Sequence, residues 1–208
     1  LPIKKYNTES ALNNFCEYSM IDPAFLAACY GFTEDEVKML AERHNASMDN
    51  LKMWYDGYNI GREKSIYNPY SVMKALQRGS CRSYWTTTGA YDSVITYIQM
   101  NFDGLKDDII RMLSGESVYV NTSKFQNDMN IVRSKNDVLT VLIHLGYLAY
   151  DDEKQQCYVP NKEVTDELLN AVEDTSWKRL ADAITASRNL LDATIAGNEN
   201  AVAQAIDL

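Results

Sequence analysis

The chain has 208 residues, 46% of them hydrophobic, with a formal charge of −9 and a pI near 4.7. Its length suits one large domain or two small ones, and no apolar run approaches the ~20 residues of a membrane span. An acidic surface of this kind disfavours nucleic acid, which needs clustered cations.

The four cysteines, Cys16, Cys29, Cys81 and Cys157, form no CxxC pair, and His44 and His144 are the only histidines. Zinc therefore has little support, and free buried thiols in the reducing cytoplasm are expected. No charged-then-apolar signal segment opens the chain. It begins at Leu1 and ends inside the apolar-periodic stretch NAVAQAIDL, so it reads as a piece of a longer protein.

A short helix is expected over residues 11–18. In IDPAFLAACYG, Asp22 suits a helix cap, Pro23 its first turn and Gly31 the residue after its end. Thr33 and Glu36 form a capping box for the next helix. Its periodic face holds Val37, Leu40, Ala41 and His44, which places His44 partly packed on that face. A further helix over 49–55 ends at the Asp56-Gly57 turn.

Residues 58–60 and 65–67 then read as a small hairpin around NIGREK. Asn68 caps a helix with Pro69 in its first turn and Tyr70, Val72, Met73 and Leu76 on its buried face, and Gly79 closes it. SYWTTTG reads as extended, followed by helices over 91–100 and 105–113. Residues 117–121 alternate like a strand, and 123–133 read as loop.

From Ser134 the pattern is helix, glycine turn, strand (147–150), charged turn, strand (157–159) and helix from Lys162. This order matches the back half of a winged-helix unit, with the strand at Ser117 as its third. A long amphipathic helix follows over 177–195, with Trp177, Leu180, Ala181, Ile184, Leu191 and Ile195 on its apolar face. Gly197-Asn198 breaks it, and a last helix begins near Glu199. The fold class is mostly α (α+β): a helical subdomain with a small hairpin (1–116), a winged-helix-like unit (117–174) and a C-terminal helical pair (175–208).

Seven aromatic residues gather between Trp54 and Trp85: Trp54, Tyr55, Tyr58, Tyr67, Tyr70, Tyr84 and Trp85. Such density marks a packing centre or a docking surface. Asp56 stands among them. Burial would raise its pKa toward acid–base work, whereas an Asp-Gly turn would bind it to backbone amides. No GxxxxGK[ST], GxGxxG, HExxH or GxSxG motif is present. The Asp151, Asp152, Glu153 turn reads as a solvated hairpin tip, since the remaining oxygen ligands of a calcium loop are missing. Between Ser134 and Asp174 three basic residues face nine acidic ones, a net of −6. That sign opposes phosphate binding and favours a winged helix that contacts protein.

The motifs YGFTEDEVKML (30–40), WYDGYNIG (54–61), YNPYSV (67–72), YWTTTG (84–89), LIHLGYLAYD (142–151) and VPNKEV (159–164) together resemble a bacterial AAA-ATPase-like family. In that family a P-loop module is followed by helical and winged-helix-like parts, and a PD-(D/E)XK nuclease-like domain ends the chain. The resemblance covers nearly all of this sequence and implies its middle portion, between the two catalytic motifs. ATP and magnesium are implied only for the parent, and no catalytic, cofactor or metal residue carries over.

The expectation is a non-catalytic connector between the upstream ATPase-like and downstream nuclease-like parts of the same polypeptide. One alternative is a nucleic-acid-binding winged helix, on fold analogy alone. The other is a small-molecule or nucleotide pocket in which the aromatic cluster stacks a base.

Overall fold

The computed structural model describes residues 18–85, 96–98, 100, 102–123, 132–173 and 178–206. The expectations for 11–18, for TTTG, for most of 91–100, for 124–131 and for Trp177 and Cys16 fall outside them. The described elements are mostly helical with two small antiparallel sheets, the expected α+β class. The chain divides into two compact units, Leu1–Glu167 and Leu168–Leu208.

The first described element is a 3-10 turn, Ala24–Cys29, rather than an α-helix capped by Asp22. Pro23 occupies the cap position with no side-chain bond, and Ala24 has φ 46°. That backbone lies outside the right-handed helical region, so an α-helix does not start there. Helix α1 (Glu34–His44) begins at the expected capping box: the Thr33 N–H donates to Glu36 Oε2 (2.8 Å) and the Glu36 N–H to Thr33 Oγ1 (3.4 Å). Val37 and Ala41 are buried. His44 is exposed, contrary to the periodic reading, because it stands in the last turn beside the left-handed Asn45.

Helix α2 (Met48–Tyr55) follows a Ser47 cap, and α3 (Pro69–Arg78) starts at Asn68 and ends at left-handed Gly79. These three helices enclose a core of Val37, Ala41, Leu51, Tyr55, Tyr67, Val72, Ala75, Leu76 and Tyr84. Between α2 and α3 lies the hairpin β1 (Tyr58–Ile60) and β2 (Glu63–Ile66), paired Tyr58 with Ile66 and Ile60 with Glu63. Its inner face joins a second core of Ala27, Tyr58, Ile60, Ile66 and Ala149.

Helix α4 (Leu105–Leu113) leads to β3 (Val118–Tyr119). Helix α5 (Lys135–His144) is capped by Ser134, and all six residues from Val138 to Ile143 are buried. Five of the six are apolar, and the sixth, Thr140, donates its hydroxyl to the Asn136 carbonyl, so this stretch can be buried on every side. Strands β4 (Ala149–Asp151) and β5 (Gln156–Tyr158) complete a three-stranded sheet in the order β3-β5-β4. The strand near Ser117 is thus the expected third strand, pairing Val118 with Cys157. The Asp152-Glu153 tip is exposed, as read from the sequence.

Helix α6 (Lys162–Glu173) follows. The second unit holds its end, with α7 (Lys178–Ile195) packed against α8 (Glu199–Ile206) across left-handed Gly197. On α7, Leu191 is 58% and Ile195 77% exposed, so these two members of the expected apolar face are not covered by α8.

Among the described residues no helix is long and apolar enough to cross a membrane. Of the described cysteines Cys157 is buried, Cys81 half-buried and Cys29 exposed, so the expectation of buried thiols fails at Cys29. It ends the exposed side of the 3-10 turn, next to Ala28.

Candidate functional site

The aromatic stretch divides into buried and open members. Tyr55 and Tyr67 are 0% exposed, Tyr84 5% and Tyr58 6%. Trp54 and Trp85 are half-buried. Tyr70, expected on the buried face of α3, is 44% exposed. The inward face of α3 is Ser71, Val72, Ala75 and Leu76, one position round from the reading, which turns Tyr70 outward with the Lys74 ammonium 5.6 Å from its ring centroid.

The buried phenols tie distant chain segments together. Tyr55 Oη donates to the Arg82 carbonyl (2.9 Å) and accepts from its N–H (3.0 Å). Tyr58 Oη donates to the Gly146 carbonyl at 2.6 Å. Gly146 is left-handed, and the Trp85 ring lies against the place a side chain would fill. Trp85 in turn stacks on Tyr147, with centroids 4.8 Å apart and planes within 3°. Such a pair adds ~0.5–1.5 kcal/mol beyond its burial. Trp54 carries the Lys162 ammonium 5.0 Å from its centroid. One face of each indole is therefore already occupied, which leaves less ring for a nucleobase to stack on.

Asp56 ends α2 as the expected turn residue. Its Oδ1 accepts from the Gly57 N–H (2.6 Å), and its carbonyl accepts from Asn161 Nδ2 (2.8 Å). Burial pushes its carboxyl above the usual range, against the Gly57 amide, the Ser65 side chain and Lys52, which favour the anion. Gly57 has φ 113°, and a methyl there would overlap the Pro160 carbonyl. The turn thus locks the end of α2 to the start of α6. Tyr158 extends the lock: its hydroxyl donates to the Gly57 carbonyl (3.1 Å) and accepts from Asn59 Nδ2 (2.6 Å).

The sequence reading missed two carboxyls at this junction. Glu163 is 0% and Glu167 2% exposed, one turn apart on α6. Glu163 Oε1 accepts from Ser71 Oγ (2.9 Å) and the Tyr84 N–H (2.8 Å). Glu167 Oε1 accepts from Ser83 Oγ. Burial is the chief cause that raises both carboxyls above the usual range. Their spacing beside Val164 and Leu168 was a signal, since it sets two acids on the apolar stripe of the helix. The serines that receive them lie far back in the chain and carry no local mark.

Elsewhere a cleft of about 250 Å³ is lined by His44, Asn45, Asn50, Ser80 and Cys81, and another of about 220 Å³ by Asn59, Arg62, Lys64, Tyr150 and Asp152. Among the described residues no three His, Cys, Asp or Glu side chains converge as a metal site would require.

No family model matches the chain, and no solved structure matches it. A stretch of 87 residues is 34% identical to an uncharacterized protein in the vnfD 5' region of Azotobacter chroococcum mcd 1. The match takes in 41% of this chain and 16% of that protein, so the similarity is to one part of a longer polypeptide.

Proposed function

We propose that this chain is a non-catalytic connector and interaction module of a longer cytoplasmic protein, coupling an upstream ATPase-like part to a downstream nuclease-like part. The observation that supports it best is the use to which the buried carboxyls are put. Glu163 and Glu167 accept hydrogen bonds from residues far back in the chain, while the Asp56 carboxyl accepts from its neighbour Gly57 and its carbonyl from distant Asn161, so all three hold elements in place. A catalytic acid needs an approach for substrate within hydrogen-bond reach. Tyr70, with the Lys74 ammonium 5.6 Å from its ring centroid, is the most exposed member of the aromatic cluster and the one best placed to meet a docking partner.

The unit of α5, β3, β4 and β5 fits the winged-helix-like part of that reading, and its acidic tip suits protein rather than a phosphate backbone. The similarity to part of a longer protein agrees with a module within a larger chain. ATP and magnesium belong, on this reading, to the upstream part.

The test uses the longer protein. ATP turnover and DNA cleavage are measured with this segment intact and with a flexible linker in its place. Both partial activities should survive, while cleavage should lose its response to nucleotide. Cleavage that still follows nucleotide after the replacement would remove the connector reading.

A further inference from the structure

The joint between α6 and the 83–85 segment contains two buried acids and, among the described residues, no counter-cation. Glu163 Oε2 is buried without a hydrogen bond, although the Trp85 amide acts weakly on that carboxyl. The groups facing the pair are the hydroxyls of Ser71, Ser83, Tyr55 and Tyr58, the Tyr84 amide, and the charge of Asp166. Cations on the same or adjoining segments are engaged elsewhere. Arg78 and Arg82 stand 5.7 and 5.3 Å from the Tyr84 ring centroid, and Lys162 pairs with Asp166 at 3.6 Å. Among the described residues neither Glu163 nor Glu167 has an ion pair. A buried carboxylate without a cation is costly, and two anions one helical turn apart repel.

We propose that Glu163 and Glu167 form an acid-closed latch, holding the 83–85 segment against α6 as neutral carboxyls and releasing it when they lose their protons. The latch rests on the connector reading, because it regulates the same joint. Each proton leaves its carboxyl for solvent, and water then hydrates the exposed anion. The closed joint keeps its protons to higher pH than the open one. Between the ordinary carboxylate range and the closed-state value, opening becomes about tenfold easier per pH unit for each proton released.

The test is a carbon-13 NMR titration of the glutamate carboxyls in the whole chain, from about pH 4 to about pH 8. Hydrogen exchange at the Tyr84 amide is followed over the same range. Glu163 and Glu167 should titrate above the other glutamates, and protection of the Tyr84 amide should fall about tenfold or more per pH unit across that titration. Glu167→Gln should remove one proton from that slope. Either carboxyl titrating in the ordinary range, or a Tyr84 amide whose protection ignores pH, overturns the latch. An unchanged slope in Glu167→Gln removes Glu167 from it. The unsubstituted chain carries the main test, so a variant that fails to fold does not spoil it. A joint indifferent to pH in a protein that passes the linker assay would sink the latch alone. A titrating joint in a protein that fails that assay would sink the connector reading instead.

Discussion

Tyr58 and Tyr67 are both buried phenols, and their hydroxyls have opposite fates. Tyr58 Oη donates to the Gly146 carbonyl, whereas Tyr67 Oη is buried with no hydrogen-bond partner. Removing a donor from a buried carbonyl costs the desolvation of the group left behind, while removing an unsatisfied hydroxyl costs little. Tyr58→Phe should therefore lose about 1–2 kcal/mol in urea unfolding, and Tyr67→Phe should be neutral or slightly stabilising. The sequence shows that aromatic residues cluster here, because their spacing is local. It does not show which hydroxyl finds an acceptor. Gly146 lies 88 positions from Tyr58, and Glu163 lies 92 from Ser71. Tyr70 was misplaced for a related reason: periodicity defines a face only to within a position or so, and buried Ser71 broke the apolar pattern.

Helix starts were the most legible elements, since a cap is written within four residues. Asn68 Oδ1 accepts from the Tyr70 N–H (3.0 Å) and the Ser71 N–H (3.3 Å), and Asn68→Ala should cost about 1 kcal/mol. Gly57→Ala should cost more, about 3 kcal/mol, through left-handed strain and overlap with Pro160. Circular dichroism melts of the two variants should rank them in that order. If Gly57→Ala proves the milder, the lock between the α2 end and the α6 start is loose. Strand ends were read a residue or two off, because β4 and β5 end where their partner stops pairing, and that is tertiary information. The opening 3-10 turn had convincing helix punctuation in Asp22, Pro23 and Gly31, and lost to the positive φ of Ala24.

Charge acts on the molecule as a whole. Asp56, Glu163 and Glu167 all have carboxyls raised by burial. A raised acid contributes stability that is fully present below its unfolded pKa and lost as pH rises through the folded value. Glu34 and Asp151 work the other way. The Lys52 hydrogen bond lowers Glu34, and Asp151, despite a burial penalty, is lowered by the Lys154 amide and ammonium. Both are exposed enough for solvent to weaken their effect. The net charge of −9 adds self-repulsion as acids ionise. Thermal stability should therefore decline as pH rises above the ordinary carboxylate range. A melting temperature that rises with pH there would mean the buried carboxyls are not the governing groups.

The long reach of the junction also sets an order of events in folding. Its hydrogen bonds join residues 79 to 105 positions apart, so they form only after large loops have closed. The capped helices α1 to α3 and the β1–β2 hairpin need no such closure. Contacts made late are absent from the transition state, and their loss speeds unfolding while leaving folding speed almost untouched. The phenol of Tyr58 is thus a brake on unfolding, and the lifetime of the closed junction depends on it.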